Sequence, residues 1–379
     1  MPAFKYRQKN SLIVFERGHK ARGHVQTVSA MLNSAAEWSS LCSFAILPAI
    51  FNLVGGDTMR KLLFAGALLV CVLSLLFGTT QAQAPKPKRL NRAVELLAEG
   101  QPIYYTGSHS GTEGSFEQGK KDAQTFADYI SYDMEHAPYD IKGLADYMQG
   151  LAAGGPTKSG HRTPTVIVNV PVNGTDEATV RANAWMFAQV LATGVHGVML
   201  THADTPGAVR AFVEAVRLPI HKQGIGKGIS EGRRGVHGAE TAARIWGISA
   251  QEYLQKADTW PLNPEGELLL GLKLEDKYAL ENAEENLKIP GIAIAEWGPG
   301  DMALSLGVTG TGAVAERDPR MQAARARVFA ACKANKIFFL NSMNPNNVVD
   351  MIKEGVMVGP ASQQAAEIGR KYTKRQMPW

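Results

Sequence analysis

Four short segments carry the side chains with the greatest chemical reach. They are Asp133-Met134-Glu135-His136-Ala137-Pro138, Thr201-His202-Ala203-Asp204, Lys273-Leu274-Glu275-Asp276 and Trp297-Gly298-Pro299-Gly300-Asp301. Glu275 and Asp301 suit a hard divalent cation, because two carboxylates supply oxygen ligands and leave positions for water and substrate. Gly298 and Gly300, on either side of Pro299, allow a tight backbone turn beside such an ion. His136 has the chemistry of a general base, with Asp133 or Glu135 available to orient its ring. Taken singly, a carboxylate at such a place is commonly a helix cap or a solvated loop residue, and a lone His is commonly structural. All four segments, however, fall at the same kind of position in the chain, which points to a shared function.

That position is the end of a strand. From Asn91 onward, apolar β-type runs alternate with helical stretches, the runs being 103–106, 129–134, 165–170, 197–201, 268–274, 292–296, 337–340 and 356–358. Between them, 179–192 places Val180, Ala184, Phe187 and Val190 on one helical face, and 206–216, 319–334 and 346–354 read similarly. Two of these helices open on Pro206 and Pro319, which suit a first turn. Eight strands alternating with helices over about 295 residues predict a single-domain α/β fold, the (β/α)8 barrel. A doubly wound open sheet would need a phosphate-binding glycine loop after its first strand, and Gly107-Ser108-His109-Ser110-Gly111 has neither the dinucleotide pattern nor a Walker lysine. In a barrel, the four segments converge at the C-terminal face, with His109 as a further candidate there. The long, glycine-rich stretch between the fourth and fifth runs reads either as a mobile loop over the mouth or as an irregular surface excursion.

Charge divides the chain unequally. Its 379 residues carry 40 Lys+Arg and 35 Asp+Glu, for a net charge of +5. All of that surplus lies before residue 85: +3 in residues 1–58 and +2 in residues 59–84, with 32 residues of each sign in 85–379. A neutral working region without a basic-aromatic motif argues against a nucleic-acid partner. Met59 opens a secretory pattern: Arg60-Lys61, a sixteen-residue apolar run at 62–77, then small residues through Ala84. The run is shorter than the roughly 20 residues of a spanning helix. The expected organisation is therefore an upstream extension of doubtful origin (1–58), a signal peptide (59–84) and the barrel (85–379). Export to the periplasm or medium follows, with membrane anchoring if the signal stays uncleaved and no stable span after cleavage. Three cysteines exclude a disulfide scaffold.

The segments also resemble a known family. Asp133-Met134-Glu135-His136-Ala137-Pro138, Gly197-Val198-Met199-Leu200, Leu272-Lys273-Leu274-Glu275 and Gly298-Pro299-Gly300-Asp301-Met302-Ala303-Leu304-Ser305-Leu306-Gly307 occur in the order of the HpcH/HpaI aldolase/citrate lyase family. Arg234-Gly235-Val236 and Tyr253-Leu254-Gln255-Lys256-Ala257 are similar to that family's segments before the fifth strand. The resemblance implies a (β/α)8 barrel, usually a homo-oligomer, acting as a class II aldolase on a small 4-hydroxy-2-oxo acid. It implies Mg2+, Mn2+ or possibly Co2+ on Glu275 and Asp301, and His136 as the base oriented by Asp133. Gly298, Pro299, Gly300, Arg234, Lys273, Asn169 and His202 are the implied substrate-binding positions. Three of them depart from the family pattern: Asn169 replaces an arginine, Lys273 a common glutamine, and Thr201-His202 a Pro-Met pair. Lys273 is expected to return the charge that Asn169 lacks. Two other functions stay open: an exported metal- or carboxylate-binding barrel without aldolase turnover, and a metal-assisted lyase or hydrolase on another small acid. Cleavage after Ala82 is expected, so mass spectrometry of the native N-terminus should find Gln83 first; any peptide from residues 1–58 would contradict this organisation.

Overall fold

Eight parallel strands close on themselves in the computed structural model, which describes residues 88–107, 114–310 and 312–377. Residues 1–87, including the secretory pattern, lie outside the described residues, as does His109. The strands are β1 (Ile103–Thr106), β2 (Tyr129–Asp133), β3 (Thr165–Asn173), β4 (Gly197–Thr201), β5 (Thr259–Trp260), β6 (Leu268–Lys273), β7 (Ile294–Glu296), β8 (Phe338–Leu340) and β9 (Val358–Pro360). The ring runs β1-β2-β3-β4-β6-β7-β8-β9 and returns to β1, every pairing being parallel. The two-residue β5 lies outside the ring and pairs with β6. The fold is the expected (β/α)8 barrel.

Strand alternation sorts the side chains into two cores. On β6, Leu268, Leu270 and Leu272 pack outward against the helices. Leu269 points inward with Tyr105, Tyr129, Ile167, Met199 and Val358. Lys273 continues the inward set at the mouth end of the strand and is buried there. Between them Gly271 lies against Met199, whose side chain a Cβ there would push aside. The helix Arg92–Ala98 contributes Ala93, Val94, Leu96 and Leu97 to the inner core and closes the opposite end. Asn91 caps that helix, its side-chain oxygen accepting from the N–H groups of Ala93 and Val94.

Three differences from the sequence reading have local causes. The stretch 179–192 is two helices, Glu177–Ala182 and Ala184–Ala192, because Asn183 leaves helical geometry and its amide donates to Thr179 O. The last strand begins at Val358, since Val356 N–H closes the preceding helix on Met351 O. The long glycine-rich excursion does not cover the mouth. It starts from the C-terminal end of the helix Pro206–Val216, where Glu214 receives the N–H groups of Ser230 and Arg233. Its helix Ala239–Trp246 then docks below β4 through Trp246 Nε1 and Gly194 O at 2.8 Å. Polar anchors at the foot of the barrel hold it there. Arg217 grips Asp258 bidentately, at 2.7 and 2.9 Å, with both residues fully buried.

Among the described residues, no helix is long and apolar enough to cross a membrane. Cys332 is a free, buried thiol, pushed up to about 12 by burial. The Arg217–Asp258 pair yields a prediction: Arg217→Met leaves a buried carboxylate uncompensated and should cost about 3–5 kcal/mol in urea unfolding. Unchanged stability would mean that the pair does not fix the excursion.

Candidate active site

Asp133 ends β2, and its carboxylate organises the turn that follows. Oδ1 accepts the N–H groups of Glu135 and His136, at 2.8 and 3.0 Å. Oδ2 lies 2.8 Å from His136 Nδ1. One buried side chain thus fixes both the backbone and the ring that hangs from it. Glu135, the other candidate partner, stands 3.8 Å from His136 Nδ1 and is engaged elsewhere. Its Oε2 is 2.5 Å from Lys273 Nζ, which also reaches Glu275 Oε2 at 2.9 Å. Burial disfavours the Lys273 ammonium, but Glu275, Glu296 and Glu135 together hold its pKa above the usual value. Burial pushes Glu275 up to about 7, against the pull of Lys273.

Gly298 makes the next strand end compatible with Glu275. Its φ is +49°, and a Cβ on it would fall 2.2 Å from Glu275 Cβ. Pro299 then starts the helix Pro299–Ser305 and puts Asp301 in its first turn. On the other side, His202 N–H donates to Glu275 Oε1 at 3.1 Å, while its Nδ1 lies 3.0 Å from Asp276 Oδ2. That bond to Asp276, against the opposing effect of burial, pushes His202 up to about 9. Burial and the neighbouring Asp276 push Asp204 up to about 7. Burial would also raise Asp276, yet bonds from His202 and the Ala279 N–H hold it low.

Several of these groups face a cavity of about 260 Å³ at the C-terminal ends of the strands. His136, Lys273, Glu275, Gly298, Pro299, Gly300 and Asp301 all line it, together with Tyr105, Glu296, Trp297 and Asn341. One donor atom from each of Glu135, His202, Glu275 and Asp301 lies within 4.8 Å of the others. Three carboxylates and an imidazole at that spacing fit a divalent cation.

Three of the expected substrate-binding positions do not line this cavity; His202 is one, although its ring stands with Glu275 and Asp301. Asn169 is buried on β3 beside Asp133, its carbonyl accepting from Met134 N–H at 3.0 Å, but it does not line the cavity. Arg234 is a correction. Its guanidinium is bonded to Tyr253 OH and Ala257 O, at 3.1 and 2.8 Å. It lines a different cavity, with Arg181 and Trp185, because the excursion carrying it packs at the foot of the barrel. Among the wall residues that escaped the sequence reading are Glu296, Tyr105 and Asn341. Glu296 is the last residue of β7 and was legible as a polar strand end.

A closed parallel barrel with acidic and imidazole groups at its C-terminal face is a (β/α)8 barrel with its site in the position usual for enzymes of that fold. The model of the HpcH/HpaI aldolase/citrate lyase family matches residues 120–366, and the chain belongs to that family. It is 28% identical over 180 residues to a hydroxypyruvate/pyruvate aldolase of Deinococcus radiodurans, covering 48% of this chain and 52% of that protein. It is 29% identical over 181 residues to a 2-keto-3-deoxy-L-rhamnonate aldolase of Klebsiella pneumoniae, covering 48% and 54%. The chain thus spans about half the length of these two relatives. A solved family protein from Burkholderia cenocepacia shares the fold at 22% identity and a TM-score of 0.55, covering 75% of this chain and 97% of that one.

The contact between Gly298 and Glu275 generates a prediction. Gly298→Ala should weaken Mn2+ binding at least tenfold in titration calorimetry while the protein stays folded. Wild-type affinity in this variant would show that Glu275 need not hold its present position.

Proposed function

We propose that the protein is a divalent-metal-dependent carbon–carbon lyase that cleaves a small 4-hydroxy-2-oxo acid to pyruvate and an aldehyde. The observation that carries this reading is one cavity lined by His136, whose ring Asp133 holds, and by the carboxylates of Glu275 and Asp301. The names of the two aldolase relatives, both acting on 2-oxo acids or their products, support it. Glu275 and Asp301 would hold the cation, Mg2+, Mn2+ or Co2+. When bound, the ion supplies Lewis-acid stabilisation of negative charge on the 2-oxo oxygen.

The rest of the chemistry falls to the chain. With Nδ1 donating to Asp133, Nε2 is the basic nitrogen of His136. It takes the 4-hydroxyl proton; the O–H electrons form the aldehyde carbonyl as the C3–C4 bond breaks, and C3 keeps the bonding pair. A proton delivered to C3 completes pyruvate. Asp133 stabilises the imidazolium formed on the way. Lys273, buried in the wall and paired with Glu135 and Glu275, offsets part of the site's negative charge, where Asn169 offers none. Gly298-Pro299-Gly300 presents backbone at the cavity edge.

Asn169 also favours a second reading, an exported barrel that binds metal and carboxylate without turnover. The two separate in a pyruvate-release assay on a panel of 4-hydroxy-2-oxo acids with Mn2+. The lyase reading expects turnover, a loss of about 100-fold or more in kcat for His136→Ala, and altered turnover in Asn169→Arg. A folded, metal-loaded protein that releases no pyruvate from any member would favour the binding barrel. Export by the 59–84 signal and assembly into a homo-oligomer belong to the same proposal.

A further inference from the structure

His202 is held in a conformation that its residue type rarely adopts. Its φ is +43°, in the left-handed region where a residue with a Cβ is uncommon and persists when its surroundings fix it. The fixing contacts are specific. The backbone N–H is bound to Glu275 Oε1, and Nδ1 is bound to Asp276 Oδ2. Asp276 is itself immobilised by the N–H groups of Tyr278 and Ala279. With Nδ1–H donated to Asp276, Nε2, 3.9 Å from Glu275 Oε1, is the nitrogen that a cation would take by displacing its proton.

The two oxygens of Glu275 have different neighbours. Oε2 faces Lys273, which also engages Glu135, whereas Oε1 faces His202. Glu135 is thus tied to an ammonium, and His202 is the nitrogen donor grouped with Glu275 and Asp301. Their donor atoms lie within 4.8 Å of one another, near the distance of about 4 Å across one bound cation. A carboxylate on one imidazole nitrogen, with oxygen ligands facing the other, is the arrangement that orients metal-bound histidines and raises their basicity.

We propose that His202 Nε2 is a third protein ligand of the cation beside Glu275 and Asp301, oriented by Asp276, and that it tunes the site toward Co2+ or Zn2+ over Mg2+. Imidazole is a softer donor than carboxylate, and suits borderline transition ions, while Mg2+ prefers oxygen and keeps its waters. The assignment rests on the metal site described above and adds a nitrogen to its oxygen set.

The test uses the full chain, purified free of metal. Mn2+-loaded wild type should show nitrogen-14 modulation in electron spin-echo spectroscopy, and His202→Asn should lose it. Asn tolerates positive φ, and thermal melting checks that the variant is folded. By calorimetry, His202→Asn should lose at least tenfold in Co2+ affinity and less than threefold in Mg2+ affinity. Asp276→Asn, which keeps a helix-capping side chain, should weaken Co2+ at least threefold. Metal binding without nitrogen coupling in the wild type, or equal losses for Co2+ and Mg2+ in His202→Asn, would overturn the assignment alone. Absence of binding by either ion would overturn the metal site as well.

Discussion

Carboxylates drawn together out of water repel one another, and each loses hydration worth several kcal/mol. The mouth of this barrel gathers Glu135, Glu275, Glu296 and Asp301, and Lys273 provides the counter-charge. Its ammonium joins Glu135 to Glu275, residues separated by 140 positions in sequence, and is almost fully buried in doing so. Because three carboxylates surround it, the lysine stays charged despite its burial. It is therefore a fixed cation and not an amine poised to form a Schiff base, which agrees with chemistry that relies on a metal. The site is an electrostatic balance first and a set of ligands second.

The fold makes that balance possible by placing each group with little freedom. Alternation along β6 turns Lys273 inward, and the chain then carries Glu275 to the mouth. Gly298 leaves room against Glu275 that any Cβ would fill. Asp133 fixes His136 through two backbone bonds and one ring contact, so the imidazole is held in place by the chain itself. The same logic recurs at His202, where Asp276 fixes ring and helix start together. Each of the two imidazoles at the mouth has a carboxylate neighbour that orients it.

Much of this was legible in the sequence, because apolar runs mark strands and polar strand ends mark the face where a barrel does its chemistry. Asp133, His136, Glu275 and Asp301 were singled out in that way, and the structure brings them to that face. Which carboxylate orients His136 was not, since Asp133 and Glu135 both lie within reach; the structure decides for Asp133 because Glu135 is bound to Lys273. That ion pair spans the barrel and leaves no trace in local pattern. Arg234 failed for a related reason. It sits on an excursion of some forty residues whose glycines give no indication of which end of the barrel it packs against, and long-range anchors such as Arg217–Asp258 decide that. Asn169 was correctly placed on β3, but one register position does not reveal whether a short side chain reaches the cavity.

The central claim is that Glu275 and Asp301 hold a divalent cation in the cavity that His136 faces. Anomalous diffraction from crystals grown with Mn2+ tests it most directly. The account predicts a peak bonded to both carboxylates, inside the cavity lined by His136 and Lys273. A Mn2+ peak bound elsewhere, or none at full occupancy of the soak, with Lys273 still bridging Glu135 and Glu275, would contradict it.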